Sequence, residues 1–360
     1  MSIRIALAGN PNSGKTTFFN ALTGSKAETG SYYNAAAKPN IGTAKVPDER
    51  LDWLAEYYHP KKYSPATIDF VDVPGVSSGG GKGNEVFQAI RQVDALVEVV
   101  RCFNNDDLFL EKADAVRDAE SFELELILAD IEIVERRLDR AKKNAKGGDK
   151  KYNRECEMCE ALLKHLEEEK PARDFPFTED DKDILADGGL LTVKPVIYAA
   201  NLDEQGMSDA ENDPNVTALK AYAEGSGAAV LPVAAKFEED IAELDAEEAE
   251  MFMQDLGLTE TGLNRLIRTS YDLLGYISFL TAGEDDVHAW TIVRGTKAQK
   301  AAGKIHTDIE RGFIRAEIVA FEDLKACGSM AAVKDKGLFR LEGKEYVMQD
   351  GDVTMFRFNV

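Results

Sequence analysis

The sequence is poor in cysteine and has no long apolar run. Four cysteines in 360 residues are too few for a disulfide framework. Cys156 and Cys159 have metal-ligand spacing, but no second Cys or His pair follows at zinc-site spacing, so we interpret them as helix cysteines and keep a metal or redox site as the alternative. No apolar stretch approaches the roughly 20 residues that cross a bilayer, and the first residues lack the features of a signal peptide. We therefore expect a cytoplasmic protein with no membrane partner.

Basic residues are outnumbered by acidic ones. The 43 Lys and Arg stand against 65 Asp and Glu, and the formal net charge is −22. This balance argues against non-specific binding to nucleic acid, which depends on neutralising phosphates, and we expect no DNA-specific binding. One stretch, the basic cluster, departs from the average and favours an RNA partner, with a solvated helix face as the alternative. The basic cluster comprises Arg136, Arg137, Arg140, Lys142, Lys143, Lys146, Lys150, Lys151 and Arg154.

Short apolar segments alternate with helical patterns over much of the chain. The predicted strands are 3–8, 67–73, 95–100, 195–200 and 229–233. Such alternation is typical of βαβ units, so we predict an α/β fold with a mostly parallel sheet covered by helices.

Two further regions follow other patterns. Helical periodicity from about residue 119 to residue 170, broken at Gly147-Gly148, predicts an inserted helical hairpin with the basic cluster at its tip. From residue 276, strand patterns at 277–280, 288–292, 313–321, 338–341, 345–348 and 353–358, with a helix at 296–305, predict a small α+β domain. The predicted domains are an α/β domain at 1–118 and 192–275, the hairpin at 119–191 and the C-terminal domain at 276–360.

A glycine-containing loop follows the first predicted strand. Residues 9–16 fit G-x-x-x-x-G-K-[ST], and a helical pattern follows, which predicts a P-loop. Glycines let backbone N–H groups turn toward phosphate oxygens, and the N-terminus of the next helix adds a positive dipole end. We predict that Lys15 contacts the β- and γ-phosphates of a nucleoside triphosphate and that Thr16 holds Mg²⁺. The predicted phosphate-binding residues are Asn10, Pro11, Asn12, Ser13, Gly14, Lys15, Thr16 and Thr17.

The segment Asp72-Val73-Pro74-Gly75 ends the second predicted strand. Asp72 suits an outer-shell Mg²⁺ ligand, and the Gly75 amide is predicted to bond the γ-phosphate, so Lys15 and Gly75 are the predicted catalytic residues. Val76 follows where many related GTPases place a water-positioning glutamine, and a valine cannot hydrogen-bond a water molecule. We therefore expect slow intrinsic hydrolysis that relies on another group, a bound cation or a partner.

Base recognition is predicted after the fourth strand, at Asn201-Leu202-Asp203-Glu204. GTPases of this class have Asn-Lys-x-Asp there, because a carboxylate accepts from both N1–H and the N2 amine of guanine. Leu202 replaces the lysine and Glu204 the final Asp, whereas adenine presents an acceptor at N1. An unpaired buried polar group costs about 1–3 kcal/mol, so we expect an ATP preference, with a plain helix N-cap as the alternative. The predicted base-site residues are Asn201, Leu202, Glu204, Ala234, Ala235 and Lys236.

Together these motifs resemble the Obg-related nucleotidases, and specifically the YchF family, also called Obg-like ATPases. The resemblance covers nearly the whole chain and includes residues 39–42, 46–51, 91–95, 99–103, 125–130, 201–204, 289–292, 299–308, 310–317 and 349–352. It implies an ATP-preferring hydrolase with a G-domain, an inserted helical hairpin and a TGS domain, acting on or near the ribosome. Asn12 resembles the asparagine that helps to hold a monovalent cation in some potassium-dependent GTPases, which adds K⁺ to Mg²⁺, with a loop-capping asparagine as the alternative.

Departures from the family pattern bear on catalysis. Ala36 stands where the family usually carries a switch threonine, and Leu110 where it usually carries a histidine. The glycine-rich switch after Asp72 is shortened, and the P-loop ends in Ser-Gly-Lys-Thr-Thr rather than Val-Gly-Lys-Ser-Thr. We expect these changes to affect hydrolysis more than nucleotide binding. A GTP-dependent switch of the same architecture and a non-hydrolysing, nucleotide-gated RNA- or ribosome-binding module are the alternatives.

Overall fold

Strands and helices alternate along most of the described chain. The structure is a computed structural model, and it describes residues 3–27, 39–75, 83–105, 109–145, 150–185, 189–255 and 258–359. The elements are β1 (Ile3–Ala8), α1 (Lys15–Thr23), β2 (Asn40–Lys45), α2 (Glu49–Tyr58), β3 (Lys62–Ser64), β4 (Thr67–Asp72), α3 (Gly83–Arg91), β5 (Ala95–Arg101), α4 (Ala115–Ala145), α5 (Lys150–Glu167), α6 (Glu179–Leu185), β6 (Val196–Asn201), α7 (Glu204–Met207), α8 (Pro214–Glu224), β7 (Ala229–Val233), α9 (Ala235–Ala242), α10 (Ala246–Asp255), α11 (Gly262–Leu273), β8 (Tyr276–Ala282), β9 (Asp286–Val293), α12 (Ala298–Ile305), α13 (Thr307–Arg311), β10 (Phe313–Ala320), α14 (Phe321–Cys327), α15 (Met330–Asp335), β11 (Arg340–Glu342) and β12 (Asp352–Phe358).

The chain forms two compact units. Unit 1 comprises Met1–Ala44 and Asp69–Leu266, and unit 2 comprises Lys45–Ile68 and Ile267–Val360. The chain therefore leaves unit 1 within β2 and returns to it within β4. The predicted domain boundaries divide the chain differently, and they stay a prediction.

Unit 1 is built on a sheet with the strand order β2-β4-β1-β5-β6-β7. Strand β5 pairs in parallel with β1 and β6, and β6 pairs in parallel with β7. Every residue of β5 and β6 is buried, as expected for a parallel sheet with helices on both faces. The predicted α/β fold class is confirmed. The sequence pattern misses β2, because this strand at the sheet edge is largely exposed and carries polar residues and a glycine.

The predicted helical hairpin consists of α4 and α5, and residues 146–149 between them lie outside the described part. Its apolar cluster includes Val134, Leu138, Met158 and Leu162. Asp130 closes the root of the hairpin: Oδ1 accepts from the backbone N–H of Leu191 at 2.7 Å, and Oδ2 accepts from the backbone and hydroxyl of Thr192 at 2.9 and 2.6 Å. Burial raises the pKa of Asp130, and these hydrogen bonds oppose the rise.

Unit 2 is built on a mixed sheet with the strand order β11-β10-β12-β8-β9-β3. The pairs β8–β9 and β10–β12 are antiparallel, whereas β12–β8 and β3–β9 are parallel. Helix α12 covers one face through three fully buried alanines, Ala298, Ala301 and Ala302, which pack with Phe279 and Ile318.

The structure corrects three details of the predicted C-terminal domain. The strand predicted at 345–348 is reduced to one antiparallel bridge between Val347 and Lys297, in which Ala298 N donates to Tyr346 O at 2.8 Å and Met348 N donates to Thr296 O at 3.0 Å. The strand predicted at 338–341 begins two residues later and ends one residue later, as β11, and the strand predicted at 313–321 ends at Ala320. Helices α14 and α15 have seven and six residues, and the sequence pattern misses them because so short an element shows little periodicity.

Candidate nucleotide-binding site

The loop after β1 has the backbone geometry that requires its glycines. Gly9 has φ +129° and Gly14 has φ +95°, a region that L side chains rarely adopt. A Cβ atom on Gly9 would lie 2.7 Å from the carbonyl oxygen of Val99, and one on Gly14 would lie 2.3 Å from Nδ2 of Asn201. The loop therefore packs against β5 and the end of β6, and α1 begins immediately after it, as the P-loop motif predicts.

Lys15 lies inside this loop. Its Nζ donates to the carbonyl oxygen of Asn10 at 2.6 Å, and the residue is only 7% exposed. Burial lowers the pKa of Lys15 to about 8, while the carboxyl groups of Asp72 and Glu98 act in the opposite direction. Phosphate oxygens would give this ammonium charge-assisted hydrogen bonds, which are stronger than its bond to a neutral carbonyl. Lys15 is thus placed to exchange its hydrogen bond to Asn10 for one to a phosphate oxygen.

Thr16 and Asp72 form the second part of the site. Oγ1 of Thr16 donates to Oδ2 of Asp72 at 3.0 Å, and Asp72 is buried at the end of β4. Burial raises the pKa of Asp72, while hydrogen bonds from Thr16 and Asn40 and the charge of Lys15 oppose the rise. Mg²⁺ prefers oxygen ligands and is usually held by one or two protein groups together with phosphates and water. The paired hydroxyl and carboxylate fit such an ion.

Gly75 lies against the P-loop. A Cβ atom on Gly75 would lie 2.8 Å from the backbone nitrogen of Pro11, so only glycine allows this approach. The N–H of Val73 donates to the carbonyl oxygen of Leu7 at 3.1 Å, so the segment after β4 stays bonded to β1 until two residues before Gly75. Val76 lies outside the described residues.

Asn201 connects the P-loop to the segment after β7. Its Nδ2 donates to the carbonyl oxygen of Ser13 at 2.8 Å, and its Oδ1 accepts from the backbone N–H of Ala235 at 3.0 Å. Asn201, Ser13, Ala234 and Ala235 are all 3% exposed or less. The predicted base-site residues Asn201, Ala234 and Ala235 thus come together beside the P-loop, and the side chain of Asn201 bonds to protein on both sides.

The other predicted base-site residues lie in different surroundings. Leu202 is 3% exposed and packs in the main apolar cluster of unit 1. Asp203 is the N-cap of α7, with Oδ1 accepting from Gly206 N at 2.7 Å, so part of this motif does serve as a helix cap. Glu204 is exposed at the first turn of α7. Lys236 is exposed, and its Nζ pairs with carboxylates one turn along α9.

A cavity of about 430 Å³ adjoins the P-loop. It is lined by Asn10, Pro11, Ser13, Arg101, Phe109, Leu110, Glu111, Arg117 and Asp118. Leu110, at the position of the family's histidine, lines this cavity and is fully exposed. The hydroxyl of Ser13 is buried and has no hydrogen-bond partner among the residues that the structure describes. The predicted switch position Ala36 lies outside those residues.

Six of the nine lining residues lie outside the set that the sequence predicts, and three of these six, Arg101, Phe109 and Asp118, form contacts with one another. The guanidinium of Arg101 lies 3.9 Å from the ring centre of Phe109, and its Nε lies 3.6 Å from a carboxylate oxygen of Asp118. The side chain of Asn10 donates to the backbone carbonyl of Asp118 at 2.9 Å, which joins the P-loop to the start of α4. The sequence gives no local signal for this contact, because Asn10 and Asp118 are 108 residues apart.

Comparison with known proteins decides the family. A family model described as "50S ribosome-binding GTPase" matches residues 4–135, and the model of the YchF GTPase C-terminal domain, described as a protein of unknown function, matches residues 276–359. The "Ribosome-binding ATPase YchF" of Bacillus subtilis is 48% identical over the full length of both chains. The chain belongs to the YchF family. The "Obg-like ATPase 1" of Oryza sativa subsp. japonica is 38% identical and is aligned over 99% of this chain and 92% of its own.

A solved YchF structure agrees with the fold. The YchF GTPase of Schizosaccharomyces pombe superimposes with a TM-score of 0.87 at 33% identity, and the match covers 99% of this chain and 98% of that one. The predicted P-loop nucleotide hydrolase of the YchF family is therefore confirmed. The roles of the individual site residues stay predictions.

Three of the ten motifs that carry the YchF resemblance have structural explanations. Residues 39–42 contribute the Asn40 side chain that bonds to Asp72, and residues 99–103 contribute Arg101 beside the P-loop. Residues 125–130 end on Asp130, which closes the hairpin root. These motifs thus maintain contacts between elements that are distant in sequence.

The cysteine pair of this YchF chain lies in a packed environment. Cys156 and Cys159 belong to the apolar cluster of the hairpin, and burial raises the pKa of Cys159 to about 11. Metal ligation and redox chemistry need the thiolate, so these surroundings favour the helix-cysteine interpretation.

No helix in the described ranges is long and apolar enough to cross a membrane.

Proposed function

We propose that this chain is a slow, ATP-preferring hydrolase that binds the ribosome according to its nucleotide state. The observation that carries the proposal is the convergence of Lys15, Gly75 and the Thr16–Asp72 pair on one P-loop. The name of the Bacillus subtilis relative, which matches over its full length, supports both ATP and the ribosome. A ribosomal partner implies a cytoplasmic location.

The chain's own groups suggest how hydrolysis proceeds. Lys15 and the P-loop amides would hold the phosphates, and the Gly75 amide would bond the γ-phosphate. Thr16 and Asp72 would hold Mg²⁺, which neutralises charge that develops on the phosphate oxygens. Neither Val76 nor Leu110 can orient a water molecule by hydrogen bonding, which supports slow turnover. Asn12, with φ +60°, would contribute to a K⁺ site.

Base preference is the finer part of the proposal. The bonds of Asn201 go to Ser13 and Ala235. Asp203 and Glu204 are both exposed, but Asp203 caps α7, so Glu204 carries the carboxylate of this motif that is not used in a helix cap. A longer carboxylate than that of the GTPase motif supports weakened guanine binding. The alternative is a GTP switch, and the name "YchF GTPase" given to the Schizosaccharomyces pombe protein favours it.

A calorimetric titration of nucleotide-free protein tests this preference, with non-hydrolysable ATP and GTP analogues, Mg²⁺ and K⁺. We expect tighter binding of the ATP analogue, and we expect Glu204→Asp to shift the ratio of the two dissociation constants toward GTP. Glu211→Asp is the matched control, since Glu211 is exposed and pairs with Lys220 on the surface of unit 1. Tighter binding of the GTP analogue by the unaltered protein would replace the ATP proposal with the GTP switch.

The basic cluster is the proposed RNA-binding surface, and its cations are not equivalent. Lys142 pairs with Glu160 at 2.9 Å across the hairpin, and Arg137 and Arg154 also pair with carboxylates. In the described part of the hairpin, Arg140, Lys143 and Lys150 are exposed and form no ion pair. We therefore propose that these three meet ribosomal RNA.

Co-sedimentation with ribosomes at several salt concentrations tests this surface. Replacing Arg140, Lys143 and Lys150 by glutamine should weaken binding and reduce the slope of log K against log salt by about 0.7 to 0.9 for each phosphate that the variant no longer neutralises. Lys142→Gln, which removes a cation already paired with Glu160, should change the slope less. Equal slopes for the triple variant and the unaltered protein would reject RNA binding by this surface.

A further inference from the structure

The linking segment, residues 45–68, interrupts unit 1 and folds with unit 2. It begins within β2, contains α2 and β3, and ends within β4. Both flanking strands lead directly to the nucleotide-binding site. Asn40 at the start of β2 hydrogen-bonds to Asp72 at the end of β4, and Asp72 in turn bonds to Thr16. The two ends of the linking segment are thus separated from the Mg²⁺-binding position by one short strand each.

Arg50 attaches the first part of the linking segment to unit 2. Its guanidinium contacts both carboxylate oxygens of Asp48 at 2.8 Å and one oxygen of Asp350 at 2.8 Å. The other oxygen of Asp350 accepts from the backbone N–H of Ser278 in β8 at 2.9 Å. Bidentate arginine–carboxylate pairs are directional, and the side chain of Arg50 is only 25% exposed. Helix α2 is therefore held in one position on the sheet of unit 2.

Strand β3 attaches the second part. It adds to the sheet of unit 2 as a parallel neighbour of β9, with Tyr63 opposite Val287 and Ser64 opposite His288. Oγ of Ser64 donates to Asp286 at 3.0 Å. Because a slip of one residue would turn every side chain of β3 to the opposite face, this register resists gradual sliding. A displacement of the linking segment must therefore move or distort the sheet to which it belongs.

From this arrangement we infer that the linking segment transmits the nucleotide state of unit 1 to unit 2. The inference rests on the proposed function in that it takes nucleotide binding at the P-loop as given. A γ-phosphate and its Mg²⁺ would contact Gly75 and Asp72, and a diphosphate would lack the γ-phosphate contact, so the two nucleotides would favour different positions of β2 and β4. The strands continue into α2 and β3, which carry the change to β8 and β9. Such coupling is reciprocal, so a partner that binds one state of unit 2 more tightly changes nucleotide affinity by the same factor.

Hydrogen–deuterium exchange of the full chain tests the inference, with ADP compared against a non-hydrolysable ATP analogue and Mg²⁺. We expect the two nucleotides to give different exchange in peptides of 45–68 and of β8 and β9. In Arg50→Gln the difference in β8 and β9 should fall to less than about a third, while the difference in P-loop peptides persists. Arg357→Gln is the matched control, because it removes an arginine–glutamate pair from β12 in the same sheet without touching the linking segment. Its exchange difference should equal that of the unaltered protein.

The outcomes separate the inference from the proposed function. Nucleotide-dependent exchange in the P-loop without any difference in β8 and β9 would overturn the inference and leave the proposed function intact. So would an undiminished difference in Arg50→Gln. Failure of both nucleotides to bind in calorimetry would overturn the proposed function itself. If Arg50→Gln does not fold, Asp350→Asn gives the same test with a smaller change, because its amide oxygen still accepts from Ser278.

Discussion

Asn201→Ala distinguishes a residue that shapes the P-loop from a residue that recognises the base. The substitution removes the 2.8 Å bond to Ser13 and the 3.0 Å bond to Ala235. Both backbone partners are buried, and each buried group left unpaired costs roughly 1–3 kcal/mol. We expect a total of about 3 kcal/mol, since the loop relaxes and admits water. If half of this cost appears in phosphate binding, the dissociation constant rises about tenfold, which corresponds to about 1.4 kcal/mol.

The decisive ligand is inorganic tripolyphosphate, which has no base. If Asn201 shapes the loop, Asn201→Ala weakens tripolyphosphate, ATP and GTP analogues by the same factor in calorimetry. If Asn201 recognises the base, tripolyphosphate binds as before and the ratio of ATP to GTP affinity changes. Asn212→Ala is the control, because Asn212 is an exposed asparagine of unit 1 that bonds only locally to Asp209. Unchanged tripolyphosphate binding with weakened ATP binding would refute the loop-shaping role.

Further predictions concern two glycines and one buried acid. Gly14→Ala should abolish measurable nucleotide binding, because its φ of +95° and the 2.3 Å approach to Asn201 both exclude a Cβ; retention of wild-type affinity in calorimetry would contradict this. Gly75→Ala should weaken binding of the ATP analogue about tenfold or more, which corresponds to about 1.4 kcal/mol, because a Cβ atom at this position would meet the backbone of Pro11. The same affinity in the variant and the unaltered protein would contradict this close approach. Burial raises the pKa of Glu238, which accepts from Gly262 N at 2.5 Å, to about 7. The contribution of Glu238 to stability is then fully present below its unfolded pKa of about 4.3 and falls, by about 3 kcal/mol, as pH rises to about 7. Glu238→Gln should flatten this fall in urea unfolding between about pH 5 and pH 8, and an unchanged slope would contradict the raised pKa.

The parts of the structure that sequence predicts are those with a local cause. The P-loop follows from glycines at fixed spacing between an apolar run and a helical pattern, and the structure has that order. Strands β5 and β6 are predicted because burial on both faces leaves continuous apolar sequences. The hairpin follows from helical periodicity, because each helix must bury one face against the other.

The parts that sequence does not predict depend on distant partners. Arg50 and Asp350 are 300 residues apart, so nothing near Arg50 indicates that residues 45–68 fold with unit 2. The bond from Asn10 to the carbonyl of Asp118 involves backbone, which leaves no pattern in side-chain types. Within the base motif, the sequence does not distinguish the residue that caps α7 from the residue that does not, because Asp203 and Glu204 are both acidic and adjacent.

The hydrogen bonds of Asp130 at the hairpin root also bear on how the length of the hairpin can be changed. Because Asp130, Leu191 and Thr192 join the outgoing and returning chains where the hairpin leaves the sheet of unit 1, the part beyond this junction is an arm whose two helices pack along one apolar cluster. Whole helical turns added to α4 and matched in α5 would keep the seam between the helices in phase and leave the junction unchanged. The length of α4 and α5 therefore sets how far the basic cluster extends from the sheet, and it can be changed while the P-loop geometry stays constant.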